Sequence, residues 1–410
     1  MEAGGWDVVV IGAGAAGLMA ATHAAERRKR VVLVEKNRKP GVKILMSGGT
    51  RCNITHACDN RGIVEAYGTQ GKFLHSALAA FSVQDTVAFF EAEGVATKIE
   101  DTGKVFPVSN KALDVLEALL KRLHRSGATL ATEESVISII MAGDGFEVVT
   151  SKRSLVTARV VLTSGGQSYP GCGTRGDGYA FAVKFGHSIV PTRPALVPLT
   201  VDAAWVGELR GVTLGDVGLR VLEQGKSLIA QRGGFLFAHF GLTGPAPLDA
   251  SKAVSRHPAP QSLELELDFL PGRKEQEFEA YLQTESLASG KKQLAVVLSD
   301  LLPRRLCDTL MTLAGQPADR KAAGLSKVDR VTLVQTVKRL KIPLRGTLGF
   351  EKAEVTAGGV SLDEVDSRTM ESKLCPGLFL AGEILDLDGP IGGYNFQAAW
   401  STGWLAGRSV

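Results

Sequence analysis

Apolar residues in this chain fall in short runs that end at glycines. The first run, Trp6 to Ile11, is valine-rich and stops at Gly12-Ala-Gly-Ala-Ala-Gly17. Such a run, bounded by turn residues, predicts a strand buried on both faces. The alanine-rich stretch Leu18 to Arg27 predicts a helix, because alanine has the highest helix propensity. A second apolar run, Val31 to Val34, predicts another strand that ends at Glu35. The opening therefore reads strand, glycine turn, helix, strand.

Further on, the 3.6-residue spacing of apolar positions predicts helices over Ser76 to Glu93 and Lys111 to Arg125. Val136 to Met141, Phe146 to Thr150 and Leu155 to Leu162 read as strands, with Gly143-Asp144-Gly145 as a hairpin turn. Ser164-Gly165-Gly166 closes the last of them, and Asp177 is read as the cap of a helix through Phe185. The pattern changes at Pro191, Pro194 and Pro198. From there to Pro271, short apolar runs alternate with glycines, as in an antiparallel barrel or sandwich. Arg273 to Leu340 turns helical and basic. From Gly346 the apolar, glycine-punctuated style of the beginning returns, with a strand at Gly377 to Ala381 and a small-residue helix at Tyr394 to Ala406. The chain is thus read as a nucleotide-binding domain in two parts, 1–194 and 346–410. It is interrupted by a β-barrel-like insertion, 195–272, and a helical insertion, 273–345.

Charge and cysteine content narrow the function. The net charge of +4 is unevenly placed: Arg273 to Arg345 holds 14 Lys and Arg against 8 Asp and Glu, so the rest is slightly acidic. A basic helical segment is most often a solvated face; the competing reading is a guide for an anionic substrate. The five cysteines form no CxxC pair and no zinc-ligand spacing. That excludes a disulfide reductase working through an adjacent thiol pair and gives no metal site. Scattered, odd-numbered thiols suit a reducing compartment, so the cytoplasm is expected. The longest apolar stretch, Val8 to Ala21, is shorter than the ~20 residues a bilayer core requires, so no membrane span is expected.

The chemistry begins at Gly12, Gly14 and Gly17. In a G-x-G-x-x-G placed between a strand and a helix, the first glycine makes the turn and the second lets a pyrophosphate approach. The third permits close helix–strand packing. Ala15 and Ala16 start the helix, whose N-terminal N–H groups suit an anion. Glu35, at the end of the second strand, is placed to accept from a ribose 2′-OH and disfavours a 2′-phosphate. FAD or NAD fits, NADP does not. A second literal match, Gly171, Gly173 and Gly176, has no acid about 20 residues onward and reads as a loop pressed against a cofactor already bound. At the far end, Gly382-Glu383 and the Asp386 to Gly393 loop precede a helix whose N-terminus can stabilise negative charge on a reduced flavin. That return of the C-terminus favours FAD over NAD.

Six blocks carry a resemblance to a known family: VVVIGAGAAGLMAA at the start, KILMSGGTRCNIT from Lys43, LTSGGQSYPGCGTRGDGYAFA from Leu162, FAHFGLTGPAPL from Phe237, VTAGGV from Val355 and LFLAGEILDLDGPIGGYNFQAAWSTG from Leu378. Over nearly its whole length the chain resembles the BaiN-like bacterial flavoproteins, often labelled aminoacetone oxidases or NAD(P)/FAD-dependent oxidoreductases. The resemblance implies an α/β fold: a two-dinucleotide-binding, Rossmann-like FAD domain interrupted by a small β-barrel and a helical subdomain. It implies FAD contacts by the first glycine loop, by Glu35 and Lys36, and by Lys43 with the loop Ser47, Gly48, Gly49, Thr50 and Arg51. Val136 is implied as a backbone contact to adenine. Ser164, Gly165 and Gly166, and then Gly382, Glu383, Gly392, Gly393, Tyr394 and Asn395, match the remaining cofactor contacts. Thr50 and His56 depart from the family pattern, which more often shows Gly and Asn there.

His239 and Thr243 are the catalytic candidates, on the insertion where substrate would meet the flavin. A histidine in apolar surroundings more often sits in the core. Arg51 is read as pairing with phosphate or with an anionic substrate; Cys52 and Cys172 are read as buried thiols. The leading function is hydride transfer between FAD and a small organic substrate, with NAD(P)H as a transient donor. Reduction of an activated C=C bond and oxidation of an amine or aminoketone both stay open. A flavin-containing RNA-modifying or RNA-binding protein is the alternative, suggested by the basic segment. It is disfavoured because that segment holds only Phe278 and Tyr281 as stacking aromatics. A scaffold that keeps FAD without turnover is the third.

Overall fold

Val8, Val9, Val10 and Ile11 are all buried, because their strand lies between neighbours on both edges of a sheet. In the computed structural model, which describes residues 5–410, that strand is Trp6–Ile11. The sheet runs in the order Thr129–Ala131, Val31–Val34, Trp6–Ile11, Ser154–Leu162, Gly145–Thr150 and Val136–Ala142. The first four pair in parallel and the last three as an antiparallel meander. Leu378–Leu380 returns from the far end of the chain to pair in parallel with Ser154–Leu162. These elements belong to one unit, the chain up to Pro194 together with Glu354–Val410.

Two helices of this unit touch through backbone. A Cβ on Gly403 would stand 2.3 Å from the Ala16 carbonyl oxygen, and one on Gly407 2.4 Å from that of Ala20. Both partners advance together along the chain, so the helices Ala15–Glu26 and Tyr394–Ser409 run parallel. The C-terminal helix starts eight residues before the level of Ala15, roughly 12 Å at a rise of 1.5 Å per residue.

The expected helix Ser76 to Glu93 is two helices, His75–Ala80 and Val83–Ala92. Ser82 breaks it: its side chain accepts from the Asp85 N–H while Asp85 caps back, a reciprocal pair that starts a new helix. Asp177 is not the cap of its helix; Gly176 is, and Asp177 is the first helical residue of Asp177–Lys184. A small sheet of Thr55–His56, Lys104–Pro107 and Thr97–Ile99 has strands too short to leave an alternating pattern.

The second unit, Ala195–Ala353, holds a closed six-stranded barrel. Its strands are Leu199–Val201, Gly241–Thr243, Lys226–Ala238, Thr213–Glu223, Leu263–Asp268 and Leu340–Thr347. Alternate residues such as Val217, Leu219, Val221, Phe235 and Phe237 fill its core. The basic stretch read as wholly helical ends in the strand Leu340–Thr347, which closes the barrel. Four helices, from Glu275–Ala288 to Lys327–Lys338, are therefore inserted between the fifth and sixth strands instead of following the barrel. Among the described residues no single helix is long and apolar enough to cross a membrane.

Candidate functional site

The glycine turn of the first unit is held by contacts that admit no side chain. Gly12 has φ +100°, and a Cβ on Gly17 would lie 1.9 Å from the Gly12 carbonyl oxygen. Gly14 is the N-cap of the first helix, has no side-chain capping bond, and is followed by no acid in the first turn. The N–H groups of that turn, over Ala15, Ala16 and Gly17, thus meet no anionic side chain, the arrangement that accepts a phosphate. Glu35 is buried, with one carboxylate oxygen accepting the Ala13 N–H at 2.8 Å and the other the Asn37 N–H at 2.8 Å. It therefore ties the glycine turn to the second strand and keeps lone pairs for a further donor. Lys36 is ion-paired with Asp177. Val136 opens the meander strand Val136–Ala142, opposite Thr150. Ser164 packs against Gly12, and its hydroxyl is buried with no hydrogen-bond partner. Gly165 and Gly166 continue that turn, and a Cβ on Gly166 would meet Thr356 at 2.4 Å.

Lys43 and Glu383 come together in a polar cluster. The ammonium lies 2.6 Å from a Glu383 oxygen and 2.6 Å from the Ser168 hydroxyl. The other Glu383 oxygen accepts from the Ser168 hydroxyl at 2.5 Å and from the Thr356 N–H at 2.9 Å. Gly382, just before, donates its N–H to the Thr402 hydroxyl in the C-terminal helix at 3.0 Å. Ser168 and Thr356 were not among the residues expected at the site. Both stand in blocks that carry the resemblance, LTSGGQSYPGCG and VTAGGV, which is the signal that marks them.

The segment that begins at Ser47 reaches the start of the C-terminal helix at Thr55 and His56. Gly48, Gly49 and Thr50 are all left-handed, at φ +56°, +66° and +68°. For a β-branched residue this is a disfavoured conformation, in keeping with Thr50 standing where the resembling family more often has glycine. The Arg51 guanidinium lies 2.7 Å from Glu100 and 3.9 Å over the Phe106 ring. His56 donates from Nδ1 to the Gly392 carbonyl at 3.1 Å and stacks on Tyr394 at 4.6 Å. A Cβ on Gly393, the N-cap of the C-terminal helix, would be 2.4 Å from the Thr55 carbonyl oxygen. That N-terminus also has no side-chain cap and no acid in its first turn.

Residues 6–409 match the HI0933-like protein Rossmann domain. The chain belongs to the HI0933-like family. It is thereby one of the BaiN-like FAD-dependent oxidoreductases that its sequence blocks resemble. A protein named ribosomal RNA dihydrouridine synthase from Escherichia coli is 34% identical over 99% of this chain and 98% of its own length. A 3-dehydro-bile acid delta(4,6)-reductase from Clostridium scindens is 30% identical over 98% of each. Among solved structures, a 3-ketosteroid delta1-dehydrogenase from Sterolibacterium denitrificans superposes with a TM-score of 0.51 at 15% identity over 98% of each chain, a likeness of fold.

The residues of this HI0933-like chain fit FAD. Two parallel helices present bare N-termini offset by roughly 12 Å, by the rise per residue, so one extended dinucleotide meets a positive helix end at two places. The Ser164 hydroxyl is buried without a hydrogen-bond partner and packs against Gly178 of the helix Asp177–Lys184. His239 lies in the second unit and is exposed at the turn between Lys226–Ala238 and Gly241–Thr243, with Phe240 against its ring at 4.9 Å. It is not the core histidine that its apolar neighbours suggest. Thr243 is half-buried at the end of the short strand beside it, opposite Leu236. The thiols are buried: desolvation pushes Cys52 up to about 12 and raises Cys172, whose sulfur lies 3.1 Å from that of Met46. Neither is a thiolate nucleophile at neutral pH.

Proposed function

We propose that this protein adds hydrogen across a C=C double bond conjugated to a carbonyl, with FAD as the hydride carrier and NAD(P)H as the electron donor. The observation that carries this reading is the pairing of the site above with two full-length relatives whose names share one reaction. A dihydrouridine synthase and a delta(4,6)-reductase both saturate a double bond activated by a carbonyl. Bound FAD supplies the hydride. The protein's own residues bind and orient. The N-terminus of Ala15–Glu26 takes the pyrophosphate and the Glu35 carboxylate the adenosine ribose. Lys43 and Glu383, ion-paired, stand on the flavin side, and the N-terminus of Tyr394–Ser409 favours negative charge at the reacting end. His239, exposed in the second unit, and Thr243 in the short strand that follows it are the proposed catalytic residues. Five free cysteines suit the cytoplasm.

A small conjugated carbonyl compound is the first substrate reading. The second is a uracil ring in RNA, favoured by the chain's cationic excess lying in the stretch Arg273 to Arg345 and by the name of the Escherichia coli relative. The experiment is anaerobic: protein-bound FAD is reduced with excess dithionite removed, then mixed with conjugated enones, their saturated counterparts, amines, or unmodified ribosomal RNA. Reoxidation by enones or by RNA, and not by saturated compounds, supports the reading and separates its two substrates. Reduction of the oxidised protein by an amine, with no reoxidation by any conjugated compound, overturns it.

A further inference from the structure

Asn395 is the second residue of the C-terminal helix, where it is expected to touch the cofactor, yet its amide is already committed. Its oxygen accepts the Gly389 N–H at 2.9 Å, and its nitrogen donates to the Gly389 carbonyl at 2.9 Å and the Pro390 carbonyl at 3.3 Å. The Tyr67 hydroxyl completes the set, 3.3 Å from the Asn395 oxygen and 3.1 Å from the Tyr394 carbonyl. The Tyr67 ring fills the space beside Gly389, where a Cβ would come within 2.7 Å of it. Next to it, Gln70 donates to the Asp386 carboxylate at 3.0 Å, so the same short segment grips both ends of the loop. Burial pushes the Tyr67 phenol well above its ordinary value, which keeps it a donor at all working pH.

From this geometry we infer that Tyr67 and Asn395 are positioning residues. They staple the loop Gly389 to Gly393 so that the C-terminal helix presents a bare, fixed N-terminus to the flavin and thereby favours its reduced form. The inference rests on the FAD reading. An asparagine at the second helical position is the informative choice. Aspartate there stabilises a helix by itself through the helix dipole. It would also put a negative charge where the reduced cofactor needs positive potential. Neutral Asn supplies the two N–H donors that bind Gly389 and Pro390, and adds no charge.

The test uses purified holo-protein and the variants Asn395→Asp and Tyr67→Phe. The ratio of reduced to oxidised FAD is read at equilibrium with a reference dye, alongside FAD dissociation and the thermal midpoint. The expected result is a fall in that ratio of at least tenfold for Asn395→Asp and at least threefold for Tyr67→Phe, with FAD still bound. Wild-type ratios in both variants, whatever happens to their thermal midpoints, would show a structural staple only and overturn the inference. If Asn395→Asp does not fold, Tyr67→Phe decides alone. A wild-type protein that binds no FAD defeats the functional reading instead, a distinct outcome.

Discussion

The Lys43 ammonium and the Glu383 carboxylate, 340 residues apart in the chain, form a 2.6 Å ion pair beside the first glycine turn. Both side chains are mostly buried, and Ser168 bridges them. Glu383→Gln would leave a partly buried ammonium with only neutral acceptors, the Ser168 hydroxyl and an amide oxygen. Losing a charged hydrogen bond in such a setting costs about 1.5–3 kcal/mol. The expected outcome is a lower urea midpoint for the apo-protein and faster FAD release. An apo-protein of unchanged stability would show that the pair is not what joins these segments.

Gly14 and Gly17 separate folding from cofactor binding. A Cβ on Gly17 would collide with the Gly12 carbonyl at 1.9 Å, whereas one on Gly14 meets nothing within 4 Å. Gly17→Ala should therefore destabilise the apo-protein, by about 3 kcal/mol or more since the clash is with backbone. Gly14→Ala should leave apo stability within about 1 kcal/mol, as for a helix N-cap position with ordinary φ, but weaken FAD retention. Thermal melts of apo- and holo-protein check both. Equal effects on the apo-protein would remove the reading of Gly14 as the point of close approach.

His187 predicts a loss of stability in acid. Its ring is fully buried between Glu364, 3.2 Å from Nδ1, and the Ser372 hydroxyl, 2.8 Å from Nε2. Ser372 also accepts the Leu374 and Cys375 N–H groups, so its proton points at Nε2 and the ring is neutral with hydrogen on Nδ1. Burial lowers the His187 pKa from 6.5 more than Glu364 raises it. For Glu364, burial is outweighed by hydrogen bonds from Ser188 and His187, so its pKa is lowered as well. The unfolded chain thus takes up protons first in both cases. Stability should fall as pH drops below 6.5, and further below the ordinary glutamate range. His187→Gln should flatten the first part of that fall, measured by urea midpoints between pH 7 and 5. An unchanged slope would place the titration elsewhere.

The core of the first unit was legible because its strands are continuous apolar runs ended by glycines, as at Val8 to Ile11. The glycine turn was legible because close backbone approach admits only glycine at Gly17. What the sequence did not disclose is which polar groups satisfy one another. Glu35, expected to await a ribose, is also the acceptor that fastens Ala13 and Asn37. Arg51 is held by Glu100, a partner 49 residues away on a short hairpin. The barrel's closing strand, Leu340–Thr347, alternates as a strand should, but Pro343 interrupts the run and it follows directly on four helices.

Arg304 and Arg305, adjacent and alike in sequence, do different things. Arg304 makes an exposed pair with Asp308 one turn on, a contact worth about 0.3–0.5 kcal/mol. Arg305 donates to the Glu208 and Arg210 carbonyls at the end of the helix Ala204–Glu208. Arg305→Glu should lower the thermal midpoint clearly, while Arg304→Glu should barely move it. Arg304→Glu is therefore the clean probe of guidance by charge: if the basic face steers an anionic substrate, it lowers kcat/KM at low salt and the effect fades as salt rises. A rate indifferent to both changes returns this face to solvated surface.

The most direct measurement is the identity and amount of flavin released when the purified protein is denatured, with the visible spectrum recorded beforehand. The expected result is a yellow protein that releases FAD, not FMN, at about one equivalent per chain, and whose Gly14→Ala variant is paler at equal protein concentration. A colourless protein that gains no flavin absorbance with added FAD would contradict the site built here from the two ends of the chain.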